Sequence, residues 1–93
     1  MIVSFRSEAT EQIHRGDKSP DLPPDIQKVA LRKLQQLDIA THLGDLRIPP
    51  GNRLEALKGD RRGQHSIRIN DKYRLCFIWT DAGVEAVEIV DYH

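Results

Sequence analysis

The residues whose chemistry stands out first in this sequence are Asp91, Tyr92 and His93. They place a carboxylate, a phenol and an imidazole directly after an apolar segment with the pattern of a strand. Imidazole is a common general acid or base near neutral pH, and the α-carboxylate on the same Cα favours its protonated form. A strand would hold this tail against a sheet, which makes His93 a candidate acid or base. The alternative is a polar, frayed chain end without a chemical role.

Basic residues are concentrated in the middle of the sequence. Fourteen Lys and Arg balance fourteen Asp and Glu over 93 residues, yet residues 47–74 alone carry eight basic and three acidic side chains. Such an excess of cations suits a surface that binds the phosphates of nucleic acid, although ordinary solvated strands and turns carry the same residues. The basic residues are Arg47, Arg53, Lys58, Arg61, Arg62, Arg68, Lys72 and Arg74.

Several other kinds of chemistry are disfavoured. Four histidines are spread without the close spacing of metal sites, and the single cysteine, Cys76, cannot form an intrachain disulfide. No Gly-rich phosphate loop precedes a helix, and no Gly-x-Ser-x-Gly segment occurs. The longest apolar run, residues 75–79, is too short to cross a bilayer. We therefore expect a cytoplasmic protein with no membrane segment, metal or cofactor.

The elements that must position these residues begin with a short strand and two helices. Residues 2–5 are apolar enough for a strand, Ser7 is a candidate N-cap of a first helix, and Gly16 a candidate end. A second helix is predicted from the Pro23-Pro24 pair to Gly44. Its apolar stripe is Ile26, Val29, Ala30, Leu34, Leu37 and Ala40. Its polar, solvent-facing side is Gln27, Lys28, Arg32, Lys33, Gln35 and Gln36.

The pattern after residue 52 changes from helical to alternating. Strands are predicted at residues 53–57, 64–69, 72–79 and 84–90, with Asn70-Asp71 as a hairpin connection. This order predicts one α+β domain over residues 1–93, in which two N-terminal helices pack on one face of a small antiparallel sheet. The other face of the sheet would remain open for function.

Four segments of the C-terminal half carry a resemblance to a known family. They are Asn-Arg-Leu-Glu-Ala-Leu-Lys-Gly-Asp-Arg at 52–61, Gly-Gln-His-Ser-Ile-Arg at 63–68, Tyr-Arg-Leu-Cys-Phe at 73–77 and Asp-Tyr-His at 91–93. Together they resemble the HigB toxins of bacterial toxin-antitoxin modules, within the RelE superfamily. The resemblance spans essentially the whole chain, and the Leu-x-x-Leu-Lys-Gly-Asp-Arg turn with the terminal Asp-Tyr-His is its most specific part.

The resemblance implies a RelE-like microbial ribonuclease fold and a ribosome-dependent messenger-RNA endonuclease that needs no metal or cofactor. It implies a HigA-like helix-turn-helix antitoxin as partner and messenger RNA in the 30S A site of the ribosome as substrate. Operator DNA would be contacted only indirectly, through the antitoxin, and no membrane is involved.

The resemblance also implies roles for individual residues. Metal-free RNA cleavage needs a base at the 2'-hydroxyl, cations at the phosphate and an acid at the 5'-oxygen. Lys58, Arg68 and Arg74 would be phosphate and transition-state clamps. Tyr92 would stack on or orient a base, His93 would be the acid or base, and Asp91 would orient both. Further RNA contacts are expected from Arg53, Arg61, Arg62, Arg68 and Lys72.

Glu55 departs from the family pattern. Several members carry a histidine three residues before the lysine of the Lys-Gly turn, and this chain has Glu55 there. A carboxylate can also serve as a general base, so Glu55 is a candidate catalytic residue. The alternative is a salt bridge to Arg53 or Arg74 that only holds an arginine in place.

Two classes of function remain open from the sequence. One is the ribonuclease toxin, and the other is a non-catalytic module of the same fold that binds RNA or an antitoxin. The fold cannot separate them, but retention of His93, Tyr92, Lys58 and Arg74 favours the enzyme. A repressor that binds DNA alone is disfavoured, because no second helix after a Gly turn is basic enough for a major groove.

Overall fold

The computed structural model describes residues 1–91, in which two helices pack on a four-stranded antiparallel sheet. The helices are α1 (Glu8–His14) and α2 (Pro24–Ile39), and the strands are β1 (Glu55–Ala56), β2 (His65–Arg68), β3 (Tyr73–Thr80) and β4 (Gly83–Asp91). The strands lie side by side in chain order, β1-β2-β3-β4. The predicted α+β class is therefore confirmed. Neither helix in this part of the chain is long and apolar enough to span a membrane.

The first helix begins and ends where the sequence predicts. The hydroxyl of Ser7 accepts a hydrogen bond from the Thr10 amide at 3.2 Å, which satisfies one of the donors left unpaired at a helix start. At the other end Gly16 has φ +89°, a left-handed conformation that glycine adopts without steric cost.

The second helix ends earlier than predicted, so the assignment of Gly44 as its terminator is wrong. Ala40 is already extended, and a separate 3₁₀ turn follows at Leu43–Arg47. The Asp45 carboxylate explains the early end, because it accepts hydrogen bonds from the amides of Thr41 at 3.2 Å and His42 at 3.0 Å. These bonds lower the pKa of Asp45 and start a new turn in place of another turn of α2.

Lys33 does not belong to the exposed polar side of α2, which corrects the sequence prediction. Its side chain is buried, and the Nζ atom donates a hydrogen bond to Oδ1 of the fully buried Asn52. Burial is the main cause of the lowered pKa of Lys33, with smaller contributions from the positive charges of Arg32 and Arg68. The aliphatic stem of lysine allows this burial where its head group finds a partner.

The N-terminal segment forms two isolated parallel bridges to β4 instead of the predicted strand. Ile2 pairs with Val84 and Phe5 with Val87. Between these bridges Ala86 has φ +52°, which marks a bulge, and its amide donates to the Ser4 hydroxyl at 2.8 Å. The bulge interrupts the pairing between the N-terminal segment and β4, and the Ala86 amide bonds to the Ser4 side chain instead of to a main-chain carbonyl.

The first strand of the sheet is also shorter than the predicted segment 53–57. Arg53 has φ +47° and takes a left-handed conformation, which prevents it from continuing an extended strand. The strand therefore contains only Glu55 and Ala56, paired with Ser66 and His65.

The core lies between the helices and one face of the sheet. Leu34 and Leu37 of α2 and Ile67, Leu75 and Phe77 of the sheet have no solvent-exposed surface. The opposite face of the sheet is not covered by the helices.

Candidate active site on the open sheet face

The register of the sheet places several of the predicted site residues on its open face. Ile67 points into the core, so its neighbours Ser66 and Arg68 point the other way. Ser66 lies opposite Glu55 on β1, and Arg68 lies opposite Arg74 on β3. Directly opposed residues of an antiparallel pair share a face. The sheet therefore brings Glu55, Arg68 and Arg74 together around Ser66.

Within residues 1–91, three oxygen atoms accept hydrogen bonds from Arg74. Its Nε donates to Oγ of Ser66 at 2.7 Å, and its Nη2 donates to the carbonyl oxygens of Arg53 at 2.8 Å and Ser66 at 3.5 Å. The hydroxyl belongs to a fully buried side chain on an inner strand, and the Arg53 carbonyl to a left-handed residue. The guanidinium is thus hydrogen-bonded to a buried side chain and to the main chain.

Arg68 lies beside Arg74 and pairs with a carboxylate at the surface. Its Nη2 bonds to Oδ1 of Asp71, a side chain that is 98% exposed. An ion pair with so exposed a partner contributes little free energy, and opposed like charges repel. A phosphate oxygen between the two guanidinium groups would relieve this repulsion, since arginine binds phosphate through charge-assisted hydrogen bonds.

Glu55 is exposed on the same face and forms no ion pair within residues 1–91. The salt bridge to Arg53 or Arg74 that the sequence left open as an alternative is therefore not present in this part of the chain. The carboxylate is accessible to a substrate that contacts Arg74.

Arg61 is bound to the sheet instead of projecting freely into solvent. Its Nη1 lies 2.8 Å from Oε1 of Glu88 and 3.1 Å from Oε1 of Gln64. Arg6 also approaches Glu88, at 3.9 Å. The short 3₁₀ turn Gly59–Arg61 that follows Lys58 is thereby tied to β4.

The remaining predicted residues lie around this face or outside the described chain. Lys58, Arg53 and Arg62 are exposed. Lys72 and Asp91 form an ion pair with each other at 3.5 Å, at the end where β3 meets β4. Tyr92 and His93 lie outside the described residues.

Sequence reasoning missed Ser66 and Glu88 as members of this face. The available signal was the period of two in Gln64, Ser66 and Arg68, which alternate with His65, Ile67 and Ile69. That alternation assigns a face but does not identify the partner of a side chain.

Cys76 lies opposite Ser66 and is fully buried. Burial raises the pKa of its thiol, and the nearby charges of Arg61 and Glu88 act in opposite directions. A buried, protonated thiol packs as a small apolar group.

A surface cavity of about 400 Å³ lies beside β1 but on the helix side of the sheet. It is lined by Leu43, Gly44, Arg47, Leu54, Ala56 and His65, and so does not include the arginines of the open face. Within residues 1–91 no group of three His, Cys, Asp or Glu side chains is arranged to hold a metal ion.

Comparison with known proteins identifies the family to which this chain is similar. Residues 3–93 match the model of the RelE-like toxin of type II toxin-antitoxin systems, HigB. The chain is 45% identical over 94 residues to Toxin HigB-1 of Vibrio cholerae, an alignment that covers 100% of this chain and 98% of the relative. It is 31% identical over 98 residues to Endoribonuclease HigB of Proteus vulgaris, with full coverage of both chains.

A solved structure supports the same fold. The chain superposes on a chain of the YoeB-YefM complex from Staphylococcus aureus with a TM-score of 0.61, covering 100% of this chain and 98% of the other. The sequence identity of that pair is 18%, so the comparison concerns the fold alone.

Proposed function

The chain belongs to the RelE-like HigB toxins of type II toxin-antitoxin systems, and we propose that it cleaves messenger RNA on the ribosome without a metal ion. The observation that carries this proposal is the open sheet face, where a firmly held guanidinium, a second arginine and an accessible carboxylate lie together. The name of the Proteus vulgaris relative, Endoribonuclease HigB, supports the reaction class.

The proposed reaction is an internal transfer at one phosphodiester. A base removes the proton of the 2'-hydroxyl, the 2'-oxygen bonds to phosphorus, and the bond from phosphorus to the 5'-oxygen breaks. An acid delivers a proton to the leaving 5'-oxygen, so the products are a 2',3'-cyclic phosphate and a 5'-hydroxyl. Charge builds on the non-bridging oxygens in the transition state, where preorganised cations are most effective.

We assign the roles according to position on the face. Glu55 is the base, Arg74 and Arg68 bind the phosphate, and Lys58 adds positive charge from the end of β1. His93 is the acid, and Tyr92 stacks on a base of the RNA. Asp91 orients this tail while its charge is partly balanced by Lys72 at 3.5 Å.

The proposed partners are those of a cytoplasmic translation inhibitor. Messenger RNA is presented in the 30S A site, and a HigA-like helix-turn-helix antitoxin neutralises the toxin and carries its contact with operator DNA. The YoeB-YefM complex is an example of this fold in complex with a second protein.

The test is end analysis of a messenger RNA during translation in vitro, with the same RNA free of ribosomes as a second sample. Cyclic phosphate ends that appear only in the translated sample are expected, and the Arg74→Ala protein should cut at least about 10²-fold more slowly. Products with 3'-hydroxyl ends would refute the mechanism, and equal cleavage of free RNA would refute ribosome dependence. A protein that binds the ribosome but cuts neither sample would be a non-catalytic binding module.

A further inference from the structure

We propose that Ser66 and the main chain of Arg53 are positioning residues that hold the Arg74 guanidinium ready for the reacting phosphate. The catalytic part of this proposal rests on the proposed function, whereas the positioning itself is a property of the free protein. The sequence did not predict this role for either residue; for the Arg53 side chain it predicted a contact with RNA or a salt bridge to Glu55.

The contacts restrict a side chain that is otherwise very mobile. An arginine at a surface loses much rotamer entropy when it is fixed, and a cation contributes most to catalysis when this loss occurs before the substrate binds. The Nε hydrogen is directed to Oγ of Ser66 at 2.7 Å, and Nη2 reaches the Arg53 carbonyl at 2.8 Å. Together these bonds fix the guanidinium plane before any RNA is present.

Ser66 is suited to this task by its place in the sheet. It lies on β2, an inner strand flanked by β1 and β3, and no part of its side chain is exposed. Water therefore does not compete for the hydroxyl, and the strand cannot move independently of its neighbours. A hydrogen bond to a charged group is stronger than a neutral one.

Arg53 contributes through its backbone. The 3₁₀ turn Pro50–Asn52 ends on it with a hydrogen bond from the Arg53 amide to the Pro50 carbonyl at 3.1 Å. The turn is anchored by the buried Asn52, whose Nδ2 donates to the Leu46 carbonyl and to Oε1 of Gln36, each at 3.1 Å. The left-handed φ of +47° at Arg53 is part of the backbone geometry that places its carbonyl beside Arg74.

The first measurement is nuclear magnetic resonance of protein labelled with ¹⁵N-arginine, without RNA or ribosomes. The Arg74 Nε–H signal, assigned with Arg74→Lys, should exchange with water at least about tenfold more slowly than that of the exposed Arg62. It should lose this protection in Ser66→Ala and keep it in Ser66→Thr, which retains a hydroxyl. Equal exchange at Arg74 and Arg62 in the unmodified protein would overturn the proposal without any variant.

The second measurement separates positioning from general damage to the fold. Ser66→Ala should lower the single-turnover rate of cleavage by about 10- to 10²-fold while ribosome affinity changes by less than about threefold. Ser66→Thr should restore most of the rate. A loss confined to affinity, or a Thr protein as slow as the Ala protein, would contradict a positioning role.

Arg53 offers a matched pair of variants. Arg53→Gly and Arg53→Val both remove the guanidinium, but glycine accepts a left-handed φ and valine disfavours it. We expect Arg53→Gly to keep the protected Arg74 signal and to cut at least about tenfold faster than Arg53→Val. Equal signals and rates in the two proteins would refute the backbone role. If the unmodified protein shows the protected signal but cuts no RNA, the proposed function fails and the positioning of Arg74 is still supported.

Discussion

Single residues on the open face differ in how tightly the fold holds them. Arg74 is fixed by buried or main-chain oxygens, whereas Arg68 is paired with an exposed carboxylate and Glu55 has no ionic partner within residues 1–91. Arg68 and Glu55 can therefore form new contacts with a bound phosphate, while Arg74 is already in position. This combination suits a site that must first bind a phosphate and then stabilise the negative charge that develops on it.

The role of Glu55 can be decided by the size of the rate change when this residue is replaced. If it is the general base, Glu55→Gln should lower the chemical step by about 10²- to 10⁴-fold with ribosome affinity near normal, because the amide cannot take a proton. Glu55→His should retain or raise the rate and move the pH profile upward, because imidazole titrates about two pH units above a carboxyl group. Single-turnover cleavage against pH measures both effects.

The same experiment also shows when Glu55 is not the general base. If the three proteins have the same pH profile and rates within about fivefold, this residue takes no part in proton transfer. His93, with Lys58 and Arg74, would then have to supply the proton transfer and charge stabilisation.

Among the elements, the hairpin between β3 and β4 depends on close contact with the N-terminal segment. Val84 bonds to two residues of that segment: its carbonyl accepts a hydrogen bond from the Val3 amide at 2.8 Å, and its amide donates to the Met1 carbonyl at 2.8 Å. Gly83 at the start of β4 has φ +139°. A Cβ at this position would lie 2.7 Å from both the Met1 carbonyl oxygen and Cγ1 of Val3.

We therefore expect Gly83→Ala to destabilise the protein. The steric conflict and the backbone strain should lower the free energy of unfolding by about 2 kcal/mol or more, and Tm by roughly 8 °C or more. Gly51→Ala is the matched control, because Gly51 has no positive φ and no atom within 4 Å of the added Cβ. Thermal melts in which both variants lie within about 2 °C of the parent would show that the N-terminal segment does not pack on Gly83.

At the scale of the whole molecule, a net charge of zero conceals a separation of surfaces. Glu55, Arg68 and Arg74 lie on the open sheet face, and α2 lies on the opposite face with Lys28 and Arg32 exposed. An antitoxin bound to the outer side of α2 would add bulk that keeps the toxin out of the ribosomal A site without covering the sheet face.

Charge reversal on α2 tests this arrangement. Lys28→Glu with Arg32→Glu should weaken binding of the cognate antitoxin by at least about tenfold and leave RNA cleavage within about threefold of normal. Lys33 is excluded from this set because it is buried. Arg47→Glu, at an exposed residue of the 3₁₀ turn that follows α2, controls for the added negative charge.

Titration calorimetry gives the affinities, and a growth assay gives neutralisation. Unchanged binding by the α2 variant would move the antitoxin contact elsewhere, with the N-terminal helix as the next surface to test. Binding that competes with RNA on the free protein would show that the antitoxin covers the sheet face after all.

The sequence by itself determined those features of the secondary structure that depend on residues close together in the chain. The apolar period of α2 and the alternation of β2 to β4 encode which face of each element is buried, and Ser7 and Gly16 act on the backbone within a few residues. The family resemblance depends in the same way on short segments, and the match over residues 3–93 confirms it.

Only the tertiary structure decided which side chains became partners. Arg74 bonds to the carbonyl of a residue 21 positions earlier in the chain, and Arg61 pairs with Glu88 across 27 positions. The apolar period of α2 predicts that Lys33 is exposed. The side chain is buried instead, because Asn52, 19 residues later in the chain, supplies a hydrogen-bond acceptor. Such contacts depend on loop geometry and strand register between distant segments, and no local propensity encodes the distance between two side chains that meet only after folding.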